Sequence, residues 1–305
     1  MQQTRVGLIA GPLHTTSSIR PNVPPQQRHR RRRAAAAAGG NGGVAAAAQQ
    51  LALACDPSPG LRLFLDSADV ALWRRYAPTG TLWGVTTNPA ILERDAVPCT
   101  LESAARLCDE AAALGFRELQ LQAWGGPAPA LAAAAAELQD LRPRHCPGVT
   151  LTIKLPCTPD GLAAAKALRA ARPGCSVTIT GVYAAHQCLL AAAAGADYVA
   201  PYLGRMGDAI GHDEAMAEVA SMRAAMAAAA AAGRPPPRVL VASIRKASHM
   251  ALLAAGGCDT FTFSPAVMDE MLGLPATAAA IADFEAAAAR NGGAKAAAAA
   301  AGAKP

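Results

Sequence analysis

The chain has 305 residues, 52% of them hydrophobic and only 16% charged, which is enough to bury one large core. Its formal charge of +6 comes from one end: Arg5, Arg20, Arg28, Arg30, Arg31, Arg32 and Arg33 all precede the first acid, Asp56, and the remainder sets 21 basic against 22 acidic residues. A nearly neutral body removes the basis for a nucleic-acid-binding core, and the alanine runs are too short and too weakly hydrophobic to cross a membrane.

Residues 1–58 are rich in Arg, Ser, Thr, Ala, Gly and Pro and show no hydrophobic period. That composition is the one expected of an organellar transit peptide, so this leader is expected to be disordered and removed on import, into a plastid rather than a mitochondrion. An unprocessed leader would instead leave a cytoplasmic protein with a basic arm at 28–33 able to touch RNA or anionic lipid.

From Leu61 onwards, short apolar or β-branched runs alternate with alanine-rich segments. Strands are predicted at 61–66, 82–86, 117–123, 149–155, 175–180, 197–201, 238–243 and 260–264. Helices are predicted at 68–76, 100–114, 130–139, 160–170, 184–194, 208–232, 246–255 and 265–272. Eight strand–helix units make a single (β/α)8 TIM barrel over 59–290, with a C-terminal helix at about 277–290 and a low-complexity tail at 291–305. Gly115, Gly195, Gly233 and Gly256 are placed to close helices.

The stretch 149–156 organises the rest. Val149, Leu151, Ile153 and Leu155 fall on one face of a period-two strand, and Thr150, Thr152 and Lys154 on the other. Pro156 stops the strand, so Lys154 is its last inward residue, at the barrel end where catalytic groups sit. An isolated lysine at such a place usually snorkels into solvent. The other strand ends change that weighing: Asp66, then Thr86, Thr87 and Asn88, then Gln122, Thr180, Tyr202, Ser243 with Arg245, and Ser264. Each has an ordinary reading, since Asp66 before Ser67 can start a helix and Asn88-Pro89 can form a turn. Together they would place an amine, a carboxylate, hydroxyls, amides and arginines around one mouth, which suits a polyhydroxylated, phosphorylated ligand.

Eight cysteines without Cys-x-x-Cys spacing and six histidines without a paired motif predict no structural zinc and no disulfide framework. Cys157, three residues beyond Lys154, is read as a packing residue with redox sensitivity as the alternative.

Phe-Leu-Asp-Ser-Ala-Asp (64–69), Gly-Val-Thr-Thr-Asn-Pro (84–89), Ile-Lys-Leu-Pro (153–156), Asp-Gly-Leu-Ala-Ala (160–164), Gly-Ala-Asp-Tyr-Val-Ala-Pro-Tyr (195–202) and Val-Ala-Ser (241–243) follow one another in order. In these the chain resembles the transaldolase family, most closely its short branch that includes fructose-6-phosphate aldolase. The resemblance implies that Lys154 is a Schiff-base nucleophile, with an amine made more acidic by burial and by Arg205 or Arg245. It implies that Asp66 accepts or orients a proton beside the cleaved bond, and that Thr86 and Asn88 hold the donor's hydroxyls. Gln122 and Thr180 would hold a catalytic water, Tyr202 would transfer a proton, and Arg205, Ser243 and Arg245 would bind phosphate. The implied partners are sugar phosphates and further copies of the chain in a homo-oligomer, with no cofactor, metal, nucleic acid or membrane. Gln122 and Tyr202 lean towards the aldolase branch, since transaldolases commonly carry glutamate and phenylalanine there. The departures are Gly204, in place of a more usual polar residue, Trp124, and Ser264, which has no secure counterpart.

Overall fold

A computed structural model describes residues 60–228 and 235–293. The leader at 1–58, Gly233 and most of the tail at 291–305 lie outside the described residues.

Eight parallel strands close into a barrel in sequence order. They are β1 (Arg62–Asp66), β2 (Gly84–Thr86), β3 (Glu118–Gln122), β4 (Thr150–Pro156), β5 (Ser176–Val182), β6 (Tyr198–Pro201), β7 (Arg238–Ile244) and β8 (Thr260–Phe263). Around them run α1 (Val70–Tyr76), α2 (Pro89–Arg94), α3 (Leu101–Ala113), α4 (Ala128–His145), α5 (Pro159–Ala171) and α6 (Ala185–Ala193). They are followed by α7 (Leu203–Ile210), α8 (His212–Ala228), α9 (Ala247–Ala255), α10 (Pro265–Leu272) and α11 (Pro275–Arg290). The predicted (β/α)8 barrel is therefore the fold, and every predicted strand is present within two residues at either end.

Three helical predictions need correction, one being that the helix expected at 130–139 runs from Ala128 to His145 with Pro143 inside it. The reading of Asn88-Pro89 as a turn misses α2, where Asn88 caps the helix by accepting from the Ile91 amide at 3.0 Å and proline occupies the first turn. The single helix expected from 208 is two, α7 and α8, because Gly211 at φ 92 takes a backbone conformation no helix interior allows.

The period-two pattern of β4 divides the molecule into two layers. Leu151, Ile153 and Leu155, none more than 1% exposed, join Leu65, Val85, Leu119, Val177 and Ile179 in the shell between barrel and helices. Each such side chain contributes about 1.5–3 kcal/mol by leaving water. The barrel interior is different in kind. Phe64, Tyr198, Ala200 and Leu240 form a small apolar knot, but Thr86, Thr152, Thr178, Thr260, Thr262, Gln120 and Glu118 are also buried there.

Those interior polar groups satisfy one another. At the N-terminal end of the barrel, Glu118 accepts from Tyr198 Oη at 2.6 Å, Thr152 Oγ1 at 2.7 Å, Gln120 Nε2 at 2.9 Å and Trp83 Nε1 at 3.1 Å. Arg62 lies 3.6 Å from the same carboxylate and donates to the Tyr198 hydroxyl. A buried carboxylate is tolerable only with such a set of donors. Higher up, Thr178 donates to Gln120 Oε1 at 2.8 Å, and the Thr262 hydroxyl donates to that of Thr86, whose own proton goes to Asp66. This network leaves the opposite, C-terminal mouth free for chemistry.

Helix α11 opens on Pro275 and has no buried residue, so Ile281 and Phe284 are exposed. Among the described residues no helix is long and apolar enough to cross a membrane.

Candidate active site

Lys154 is 2% exposed, and its Nζ donates to the Thr87 carbonyl oxygen at 3.0 Å. The register explains its place: Lys154 lies beside Gln122 on β3 and Thr178 on β5, two residues beyond Thr152 on its own strand. Three strands round the barrel, Asp66 ends β1 and accepts from Thr86 Oγ1 at 2.7 Å. Burial pushes the Asp66 carboxyl above its usual value, against the opposing pull of the Lys154 charge, the Thr86 hydroxyl and Arg94. A carboxylate so placed is a better proton acceptor than an exposed one.

A cavity of about 260 Å³ opens over these two groups, walled by Asp66, Asn88, Ala90, Ile91, Arg94, Lys154, Tyr202, Arg205, Ala242 and Ser243. Of the residues predicted for the site, it thus gathers Lys154, Asp66, Asn88, Tyr202, Arg205 and Ser243. Asn88 has its side-chain oxygen committed to capping α2, which leaves the amide nitrogen for the cavity. The Tyr202 hydroxyl lies 2.9 Å from Thr180 Oγ1, so these two act as one unit. Arg205 stacks over the Tyr202 ring with its guanidinium carbon 5.0 Å from the centroid.

Ser243 reaches the cavity through an irregularity. The register of β7 against β8 shifts between Val241 and Ile244, and Ser243 within it sits at φ 58, a left-handed conformation that costs a non-glycine residue about 1–3 kcal/mol. Its carbonyl passes so close to α7 that a Cβ at Gly204 would lie 2.4 Å from it. Gly204, a departure from the usual pattern, is here the clearance that lets the Ser243 turn form.

Besides Thr180, which meets the cavity only through Tyr202, three predicted site residues lie outside its wall. Thr86 is fully buried behind Asp66, bonded to it and to Thr262, so it orients the carboxylate rather than lining the cavity. Gln122 is next to Lys154 in the sheet, yet it lines a separate small space with Thr87, Leu121 and Trp124. Arg245 is half exposed outside the cavity wall and makes a two-pronged pair with Asp208, at 2.6 Å through Nη1. Ser264 is a helix cap, accepting from the Val267 amide. Cys157 is half-buried, and burial raises its thiol pKa, which lowers its reactivity.

Arg94 was not foreseen. It lies at the end of the helix read as a turn, and the Asn-Pro start of that helix was the available signal. Among the described residues no three His, Cys, Asp or Glu side chains group as a set of metal ligands.

Comparison with known proteins identifies the family of the chain. A family model described as Transaldolase/Fructose-6-phosphate aldolase matches residues 128–302. A protein of Pelotomaculum thermopropionicum named "Probable transaldolase" is 31% identical over 224 residues, covering 73% of this chain and 95% of that protein. Proteins of the same name from Rhodospirillum centenum and Thermus thermophilus are 33% identical over 231 residues and 35% over 222 residues. They cover 74% and 71% of this chain, and 90% and 93% of themselves. With a family model matching more than half of its residues and relatives matched over almost their whole length, the chain belongs to the transaldolase/fructose-6-phosphate aldolase family.

Proposed function

We propose that the chain is a Schiff-base aldolase that cleaves or transfers the dihydroxyacetone unit of ketose phosphates such as fructose 6-phosphate. The observation that carries this reading is one buried lysine sharing a cavity with the Asp66 carboxylate and two arginines, Arg94 and Arg205. The Lys154 amine attacks the C2 carbonyl and water leaves, forming an iminium. Asp66 takes the proton of the C4 hydroxyl, the C3–C4 electrons move to the iminium nitrogen, and glyceraldehyde 3-phosphate departs. A dihydroxyacetone enamine remains on Lys154. Protonation at C3 and hydrolysis release dihydroxyacetone, with the Tyr202–Thr180 hydroxyl pair as the proton route; Gln122 takes part in holding water only by turning from its own small space towards Lys154, its neighbour in the sheet. Attack of the enamine on an acceptor aldehyde gives transfer instead. Arg205 and Ser243 bind the phosphate, and Arg245 joins them by releasing Asp208. No step uses a metal.

The relatives' printed names favour the transfer reading, in which sedoheptulose 7-phosphate and glyceraldehyde 3-phosphate exchange to erythrose 4-phosphate and fructose 6-phosphate. Gln122 and Tyr202 favour cleavage. Residues 1–58 are proposed as an import signal for a plastid, and the exposed Ile281 and Phe284 support association of several copies.

Borohydride reduction with fructose 6-phosphate should add one three-carbon unit to Lys154, read by peptide mass, and activity should survive EDTA. Labelling elsewhere, or an active enzyme that is never trapped, would refute the mechanism. Product analysis with and without erythrose 4-phosphate separates cleavage from transfer.

A further inference from the structure

At the end of α2, Arg94 and Asp95 make an ion pair of a kind that on a protein surface contributes almost nothing. This one is built differently. Asp95 has a side chain only 10% exposed, and it accepts from four donors. Arg94 supplies two of them, Nε at 2.7 Å and Nη2 at 2.9 Å. The Ser67 hydroxyl at 2.9 Å and the Ala68 amide at 2.7 Å supply the others, and both belong to the turn that follows Asp66. Arg94 Nη2 also reaches the Asp66 carbonyl oxygen at 3.3 Å. The backbone bends to bring the pair in: Ala96, the next residue, has φ 55, where alanine rarely goes.

We propose that Arg94 and Asp95 are positioning residues for Asp66, a clamp that fixes the β1–α1 turn and sets the charge around its carboxylate. The assignment of Asp66 as the proton acceptor rests on the function proposed above, whereas the clamp itself rests on geometry. The charged groups facing Asp66 are Lys154 from β4 and the pair from α2, and the remaining contact, Thr86 from β2, is neutral. Within the pair the two members oppose each other, since Arg94 favours the ionised carboxylate and Asp95 disfavours it. A clamp therefore has a signature that a plain structural contact lacks: removing one charge or the other moves the Asp66 titration in opposite directions.

The test is a carbon-13 titration of aspartate-labelled protein without substrate, with the Asp66 carboxyl identified by its loss in Asp66→Asn. Asp95→Asn should lower the midpoint, Arg94→Gln should raise it, and Arg94→Lys should leave it near the wild-type value. In steady-state assays, Asp95→Asn and Arg94→Gln should lower kcat by about tenfold or more with KM little changed, as expected when a reacting group is displaced by a fraction of an ångström. Ser67→Ala, which loosens the turn without touching a charge, should lower kcat and leave the midpoint in place. It carries the test if either charge variant fails to fold. Midpoints that coincide, or that move the same way in both charge variants, overturn the clamp, as does a Ser67→Ala enzyme with unchanged kcat. Because the titration needs no substrate, a failed clamp is distinct from a failed aldolase mechanism, which shows itself as a wild-type protein that borohydride does not trap at Lys154.

Discussion

Ionising Asp66 costs more in the folded protein than in the unfolded chain, because burial outweighs the help of Lys154, Thr86 and Arg94. A carboxyl whose folded pKa is raised destabilises the fold as pH climbs above the unfolded value near 4, and the penalty is complete once the folded group is ionised. Asn at this position cannot ionise and still accepts from Thr86. Asp66→Asn should therefore be more stable than the wild type at pH 7, by about 1.4 kcal/mol for each tenfold change in acidity that burial imposes. The gain should vanish towards pH 4, and activity should be lost throughout. Urea unfolding at the two pH values measures the first effect, and a variant no more stable than wild type at pH 7 would refute it. At this scale Lys154 and Asp66 were legible because alternation and strand ends say which residues face inward. The neighbours were less so. Arg245 sits near the mouth in sequence but is occupied by Asp208, and Gln122 turns into its own small space; both depend on packing that no local pattern encodes.

Helix α2 is the element whose absence from the sequence reading mattered most. It has only six residues, too few for a period to emerge, and its signal lay in the Asn88 cap and Pro89 start. It carries one wall of the cavity and ends in the Arg94–Asp95 pair. Its last turn closes with Val97 donating to the Leu92 carbonyl at 2.8 Å, which forces exposed Ala96 into the left-handed region. Glycine relieves that strain at some cost in unfolded-chain entropy, so Ala96→Gly should stabilise the protein by about 0.5–1 kcal/mol, visible as a higher Tm with kcat unchanged. A drop in Tm would mean the turn is not strained. The strands, by contrast, were readable to within two residues, because apolar runs of β-branched side chains admit few alternatives. The helices were less so: α4 runs six residues past its predicted end, and one glycine at 211 in an alanine-rich stretch looked tolerable until its φ was known.

For the whole molecule, the barrel follows from eight repeats, whereas its polar interior does not, since Glu118, Gln120 and the threonines become partners only when distant strands meet. Removing the centre of that network should be costly. Glu118→Ala leaves Tyr198, Trp83 and Gln120 without their acceptor and Arg62 without its counter-charge, and should cost about 3–5 kcal/mol, measured by urea unfolding. Glu118→Gln should cost less, and a Glu118→Ala protein as stable as wild type would show the network to be idle. These contacts also run in a particular direction. Backbone pairing joins each strand only to its neighbours, like the hoop of a wheel, and a hoop alone can be squeezed into an oval. Tyr198 to Glu118 crosses from β6 to β3, Thr178 to Gln120 from β5 to β3, and Thr86 to Thr262 from β2 to β8. They are spokes. A barrel braced in this way keeps its cross-section whether the mouth is empty or full, so selection among ligands falls to the rim, to α2, α7 and the turn at Ser243, while the bore beneath them stays round.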